Sequence, residues 1–262
     1  MQKYFSKLVP VLFALAISML SYFSAGALFA QAVVDVTTNA GDASANSLGW
    51  AVTTLNASGD GTININNGSL PITLSQPLSV ISINLTLQGQ DLNLAGQNDS
   101  QSQLLFQHGF TQLDNLTFQN NGGLSSGLDA SVTAFSWTMA SNVFSIISGG
   151  AAGNTLVTGG SGVIGQAGGN ASVTATFWTA QDSVILTGGT GGGVTDTNGT
   201  GDVGGTGGVV KVVGTSLTFS GNQMVLDGGS GGSVTDLGSG APTGGAGGAA
   251  SLSFGFLSLG GG

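Results

Sequence analysis

The sequence predicts an all-β chain built from stacked repeats, and three observations carry that expectation. A Gly-rich block recurs at a fixed offset of 40 residues. Ser183-Val184-Ile185-Leu186-Thr187-Gly188-Gly189-Thr190-Gly191-Gly192 returns as Gln223-Met224-Val225-Leu226-Asp227-Gly228-Gly229-Ser230-Gly231-Gly232. A fixed period of this size marks a quasi-one-dimensional stack rather than a globular enzyme core. Short runs that alternate apolar with polar residues fill the first part of the chain, the period of strands with one buried face. Residues are 40% hydrophobic and only 6% charged, which excludes the charged, apolar-poor make-up of disordered chains.

The N-terminus reads as a secretory signal peptide over residues 1–32. Lys3 and Lys7 precede an apolar run at 8–23, and Ala30-Gln31-Ala32 is a small-x-small cleavage site. Ala25-Gly26-Ala27 offers a second site. The run is short for a membrane anchor and no positive cluster follows it. The mature chain is therefore expected to have no transmembrane helix.

Beyond residue 32 the chain carries 12 Asp against Lys211, a formal net charge of −11, with no Arg or Glu. That balance excludes nucleic acid, whose phosphates need Lys and Arg, and an anionic membrane surface. Cysteine is absent, so no disulfide supports the exported chain.

The first region, residues 33–121, opens with the strand Val33-Val34-Asp35-Val36-Thr37. Ser47-Leu48-Gly49-Trp50-Ala51-Val52-Thr53-Thr54-Leu55 then forms the single short helix. Leu48, Ala51, Val52 and Leu55 follow helical spacing, and Asn46 or Ser47 caps them. Strands follow at 61–65, 70–74, 82–89, 92–94, 104–106 and 113–118, punctuated by Gly, Asn, Asp or Pro.

The motif order is Ala51-Val52 to Asp60, then Thr62-Ile63-Asn64-Ile65, Pro71-Ile72-Thr73-Leu74-Ser75-Gln76-Pro77-Leu78, Leu85-Thr86-Leu87-Gln88-Gly89, and Leu113-Asp114-Asn115-Leu116-Thr117-Phe118-Gln119-Asn120-Asn121-Gly122-Gly123. This order resembles the N-terminal cap and first rungs of right-handed parallel β-helix proteins. More narrowly, it resembles the passenger regions of bacterial autotransporter and polymorphic outer-membrane proteins, over residues 33–123. The resemblance implies a right-handed parallel β-helix with one short N-terminal helix and Gly-rich repeat excursions. It also implies that Asn120 and Asn121 sit at turns where side-chain amides bond from rung to rung.

The second region, residues 122–262, holds 39 of the 48 Gly. It continues the solenoid in units of about 40 residues. The 40-residue offset places Phe177, Leu217 and Leu257 in one column, with Phe219 above Leu259. A looser copy at offset 41 aligns Ser131-Val132-Thr133-Ala134 and Trp137 with Ser172-Val173-Thr174-Ala175 and Trp178. The excursions 188–208 and 228–248 read foremost as flexible Gly-rich loops, with packed polyglycine-II-like strands or extra rungs as the alternatives. The sequence stops within a third copy, which suggests a fragment of a longer protein. Under the resemblance, the full protein carries a C-terminal outer-membrane barrel.

Residues with chemistry are sparse. His108 lacks a second His or Cys for a metal set and reads as a turn or surface residue. Asp91, Asp99, Asp114 and Asp129 are the carboxylates a β-helix polysaccharide lyase or hydrolase would need. Asp91 and Asp114 lie 23 residues apart, about one turn, but Asp is also an ordinary turn residue. The calcium-roll pattern fails because Val209 and Ala249 occupy its Asp position. Asp196, Asp202, Asp227 and Asp236 remain as weak acidic sites. Gly208-Val209-Val210-Lys211 lacks the ending of a phosphate loop. Trp137 and Trp178, one per repeat, read as core, with an exposed sugar-binding ladder as the alternative. The sequons at Asn56, Asn67, Asn84, Asn115, Asn170 and Asn198 read as Asn/Ser/Thr-rich surface.

No catalytic residue, cofactor or metal is assigned. The expected protein is an exported bacterial surface or secreted β-solenoid, non-catalytic, an adhesin or structural stalk that meets a host surface or an extracellular glycan or protein. A carbohydrate-active β-helix enzyme is the alternative, and a free Gly-rich matrix protein a third possibility.

Overall fold

Alternating strands need a partner on each edge and a cover on one face. The computed structural model satisfies both needs by stacking strands in parallel. It describes residues 32–74, 77–81, 84–96, 103–120, 126–236, 238 and 240–260. Strand makes up 51% and helix 5%, so the chain is all-β, as its sequence predicts. Apart from Ala32, the expected signal peptide lies outside the described residues. Residues 32–262 group as one compact unit.

The strands in chain order are β1 (Ala32–Val36), β2 (Gly61–Ile65), β3 (Ile72–Leu74), β4 (Leu78–Val80), β5 (Asn84–Gly89), β6 (Leu92–Gly96), β7 (Gln103–Gln112), β8 (Leu116–Asn120) and β9 (Ala130–Met139). The repeats add β10 (Ser145–Ser148), β11 (Thr155–Val157), β12 (Ala171–Ala180), β13 (Val184–Thr187), β14 (Val194–Asp196), β15 (Val210–Phe219), β16 (Met224–Asp227), β17 (Val234–Asp236) and β18 (Ala250–Leu259). They form three sheets. The long sheet runs β1-β2-β5-β7-β9-β12-β15-β18, with β4 also on β7. The second runs β3-β6-β8-β10-β13-β16 and the third β11-β14-β17. The strand pairs in all three are parallel.

The helix α1 (Leu48–Ser58) buries Leu48, Ala51, Val52 and Leu55, the four residues its spacing predicts. Ser47 caps it by accepting the Trp50 N–H at 3.2 Å. Gly59 ends it at φ 95°, its N–H donating to Leu55 O, a conformation that favours glycine. The helix packs against β1, β2 and β4 and so covers apolar surface that β1 would otherwise expose.

The core is a set of columns. Trp137, Trp178 and Leu217 stand in register across β9, β12 and β15, each no more than 1% exposed. Phe106, Phe110, Trp137 and Trp178 continue face to face as a stack of rings. Both tryptophans therefore belong to the core, not to an exposed ladder.

Of the column expected at Phe177, Leu217 and Leu257, Leu217 and Leu257 are in register, as are Phe219 and Leu259, but Phe177 is not. Leu217 pairs with Trp178, while Phe177 pairs with Ser216 and is 47% exposed. The step from β12 to β15 is one residue shorter than the step from β13 to β16. The turn 220–223 has one residue more than the turn 181–183, and it absorbs the difference.

The described residues of the Gly-rich excursions hydrogen-bond through their backbones to neighbouring segments, the pattern of the packed polyglycine-II-like alternative. Gly188 and Gly191 donate their N–H groups to Asp227 O and Ser230 O of the next unit, each at 2.8 Å. Gly189 and Gly192 donate to Gly169 O and Gln166 O of a different segment, also at 2.8 Å. Donation thus alternates between neighbours with the three-residue period of an extended polyproline-II-type strand. The sequence follows suit in Gly-Gly-Xaa triplets such as Gly204-Gly205-Thr206 and Gly228-Gly229-Ser230. Xaa faces solvent, and the glycines let the backbones touch. A Cβ on Gly189 or Gly208 would overlap the carbonyl of Gly150 or Gly169.

Candidate functional site

The alternation of the ten-residue strands breaks in the middle, and a surface groove lies at the break. Ala134 and Trp137 both point into the core, so the two residues between them break the alternation and face outward together. In β7 the same position is bulged, where Gln107 and His108 lie between Phe106 and Gly109 opposite the single residue Phe135. The bulge turns His108 outward, where it is exposed, in agreement with its reading as a surface residue.

Phe135 is 52% exposed and meets Phe177 of the next rung edge to face, with ring centroids 5.5 Å apart. Beside the rings runs a column of hydroxyls. Thr62, Thr86, Thr111, Thr138, Thr179 and Thr218 are in register along the long sheet, spaced by the strand separation of about 4.8 Å. His108, Phe135, Thr86, Thr111 and Thr138 line a shallow groove of 370 Å³. It offers an apolar ring, an imidazole and a row of hydroxyls on a rigid sheet.

The other acids named from the sequence act as turn fasteners. Asp114 Oδ2 accepts the Gly89 N–H at 2.5 Å. Asp91 Oδ1 accepts Asn115 Nδ2 at 3.0 Å, and Asn115 Oδ1 accepts the Phe144 N–H at 3.0 Å. The step between these turns is 24 residues, which sets Asp91 opposite Asn115 rather than Asp114. Asp129 Oδ1 accepts both the N–H and Nδ2 of Asn170, whose own Oδ1 accepts the Val209 N–H. Asp99 and Asn121 lie outside the described residues. Asn120 donates to the Asp129 carbonyl, so the rung-to-rung amide bonds fall at Asn115 and Asn170 instead. Among the sequon residues Asn67 is buried and donates to Leu70 O, contrary to the surface reading.

Asp196 was among the weak acidic sites, but it is fully buried. The N–H groups of Asn198 and then Gly159 hold its carboxyl below the ordinary Asp value. Asp202 is buried as well, whereas Asp227 is exposed. Asp236 stands in register with Asp196. Among the described residues no group of three or more His, Cys, Asp or Glu gathers to hold a metal. The groove was not legible in the sequence, because the bulge that aims His108 beside Phe135 is set by pairing between strands.

No helix among the described residues is long and apolar enough to cross a membrane. No protein family, curated protein or solved structure matches the chain.

Proposed function

We propose that this chain is part of an exported bacterial surface protein, a right-handed parallel β-helix passenger that acts as a non-catalytic adhesin and holds its contact face out on a rigid rod. The observation that carries the reading is the groove at His108 and Phe135 beside the column of threonine hydroxyls. Exposed aromatic rings stack on the apolar faces of sugars, and a fixed row of hydroxyls pairs with their polar edges. The three parallel sheets support the reading of a stiff stalk. The acids Asp91 and Asp114 are engaged in turn hydrogen bonds, so the enzymatic alternative gains no carboxylate pair from them.

The test is retention of the full chain on an array of neutral and acidic glycans, with Phe135→Ala and His108→Ala beside it. Both side chains are exposed, so both variants are expected to fold as the parent does. Weakened retention by Phe135→Ala supports the groove. Equal retention by both variants, or no retention by the parent, sinks it. Release of sugar fragments by the parent would point to the polysaccharide enzyme instead.

A further inference from the structure

The end of β14 and the loop after it bury two acidic side chains, and one of their carboxylate oxygens has no partner. Asp196 and Asp202 are each 0% exposed. Asp196 Oδ1 accepts the N–H groups of Gly159 at 2.8 Å and Asn198 at 3.0 Å, and its Oδ2 accepts that of Gly160 at 2.8 Å. Asp202 Oδ1 accepts the Val163 N–H at 2.9 Å. Asp202 Oδ2 is buried and has no hydrogen-bond partner. An orphaned carboxylate oxygen in the interior is costly unless something satisfies it.

The orphan faces the other carboxylate. A Cβ built on Gly199 would come within 2.5 Å of both Asp196 Oδ2 and Asp202 Oδ2. The two oxygens are therefore no further apart than twice that distance. Two oxygens that share one calcium at about 2.4 Å each obey the same bound. Gly199 keeps the space beside them free of a side chain. The one Lys or Arg among the described residues, Lys211, stands on β15 in the long sheet, away from the third sheet that carries Asp196.

The pair is confined to one rung. Asp196 is in register with Val157 before it and with Asp236 after it, so only its partner Asp202 is unrepeated. The positions matching Asp202 are Val163 before it and Pro242 after it, as the bridges Ile164 to Val203 and Val203 to Thr243 require.

We propose that Asp196 and Asp202 bind one calcium ion through their Oδ2 atoms and so fasten the 197–203 loop to the stack. Two carboxylates are hard oxygen ligands, and loop carbonyls and water complete the shell that calcium accepts. Thr197, Asn198 and Thr200 are exposed and leave the ion a path from solvent. So few charged ligands place the dissociation constant at about 10⁻⁴–10⁻³ M, the range of extracellular calcium modules.

The experiment uses the full chain stripped with a chelator, titrated with calcium by calorimetry and melted with and without it. One ion per chain is expected, with a rise in Tm of about 5 °C near saturation. Asp202→Asn loses the binding yet folds in chelator as well as the parent, because its amide can donate to Asp196. Asp227→Asn, at an exposed acid, binds as the parent does. Amide exchange in the parent slows across 197–203 when calcium is added, a readout that needs no variant. Absence of binding by the parent, or equal binding by Asp202→Asn, overturns the proposal. A melting temperature that ignores calcium but rises on mild acidification also overturns it, since the two carboxylates would then share a proton.

Discussion

Trp137 lies flat on Trp178, with ring centroids 4.9 Å apart and planes inclined by only 10°. The two rings are nearly equal in burial but not in bonding. Trp137 Nε1 donates to Gln112 Oε1 at 3.1 Å, and the same oxygen accepts the Ser145 hydroxyl at 3.0 Å. Trp178 Nε1 is buried without a partner. The stack gives one rung a satisfied polar group and leaves the next with an orphan.

That asymmetry predicts unequal costs for the same substitution. Trp137→Phe removes a made hydrogen bond and should cost about 2–3 kcal/mol. Trp178→Phe removes an unmade one, which offsets part of the lost packing, and should cost about 1 kcal/mol. Equilibrium denaturation of the two variants checks the order, and equal losses would contradict the assignment of the Gln112 bond.

The Gly-Gly-Xaa triplets predict a contrast between adjacent residues. A Cβ on Gly208 would overlap the carbonyl of Gly169, and both sides of that contact are backbone. Gly208→Ala should therefore cost about 3 kcal/mol or more. Thr206, exposed at the Xaa position, should accept Ala within about 0.5 kcal/mol. The requirement is one of space, since Gly208 is not among the glycines with positive φ. A flexible excursion would leave the two variants alike in thermal melts.

Asn170 bridges Asp129 on one side and the Val209 N–H on the other. Asn170→Ala leaves the Val209 N–H without its partner and removes one of two donors to Asp129. A loss of about 1–2 kcal/mol is expected. Asn170→Asp keeps an acceptor for Val209 but sets two carboxylates together, so its deficit should shrink as acid protonates them.

Acid should also act at the helix cap. The Ser44 hydroxyl and then the Ser44 N–H hold the Asp42 carboxyl below the ordinary Asp value. A depressed folded value stabilises the fold above the unfolded pKa, and that contribution fades as pH falls through the folded one. Asp42→Asn should melt below the parent at neutral pH and match it in strong acid. A difference that persists unchanged to low pH would contradict this account.

Much of the fold was legible because burial writes a period into the chain. Leu48, Ala51, Val52 and Leu55 announced α1, and Val132 above Val173 announced the long sheet. The register of Phe177 was not legible. The Gly block and the long strands differ by one residue in their repeat, and the extra residue hides in the turn 220–223. Composition likewise could not separate coil from packed backbone, because both demand glycine. Asp196 and Asp202 were named as weak acidic sites, but their burial side by side was not legible, since nothing in their six-residue spacing shows that the loop folds back around Gly199. His108 was correctly read as exposed, but its neighbour Phe135 comes from another rung and shares no motif with it.

The three-residue alternation of the glycine segments limits how this stack can change over generations. Inserting one residue into 188–193 would turn each later glycine toward solvent and press a larger neighbour into a space that admits only hydrogen. A whole copy added or lost keeps every face where it was. Within the glycine segments the stack is thus inherited in whole steps, like marks on a ruler.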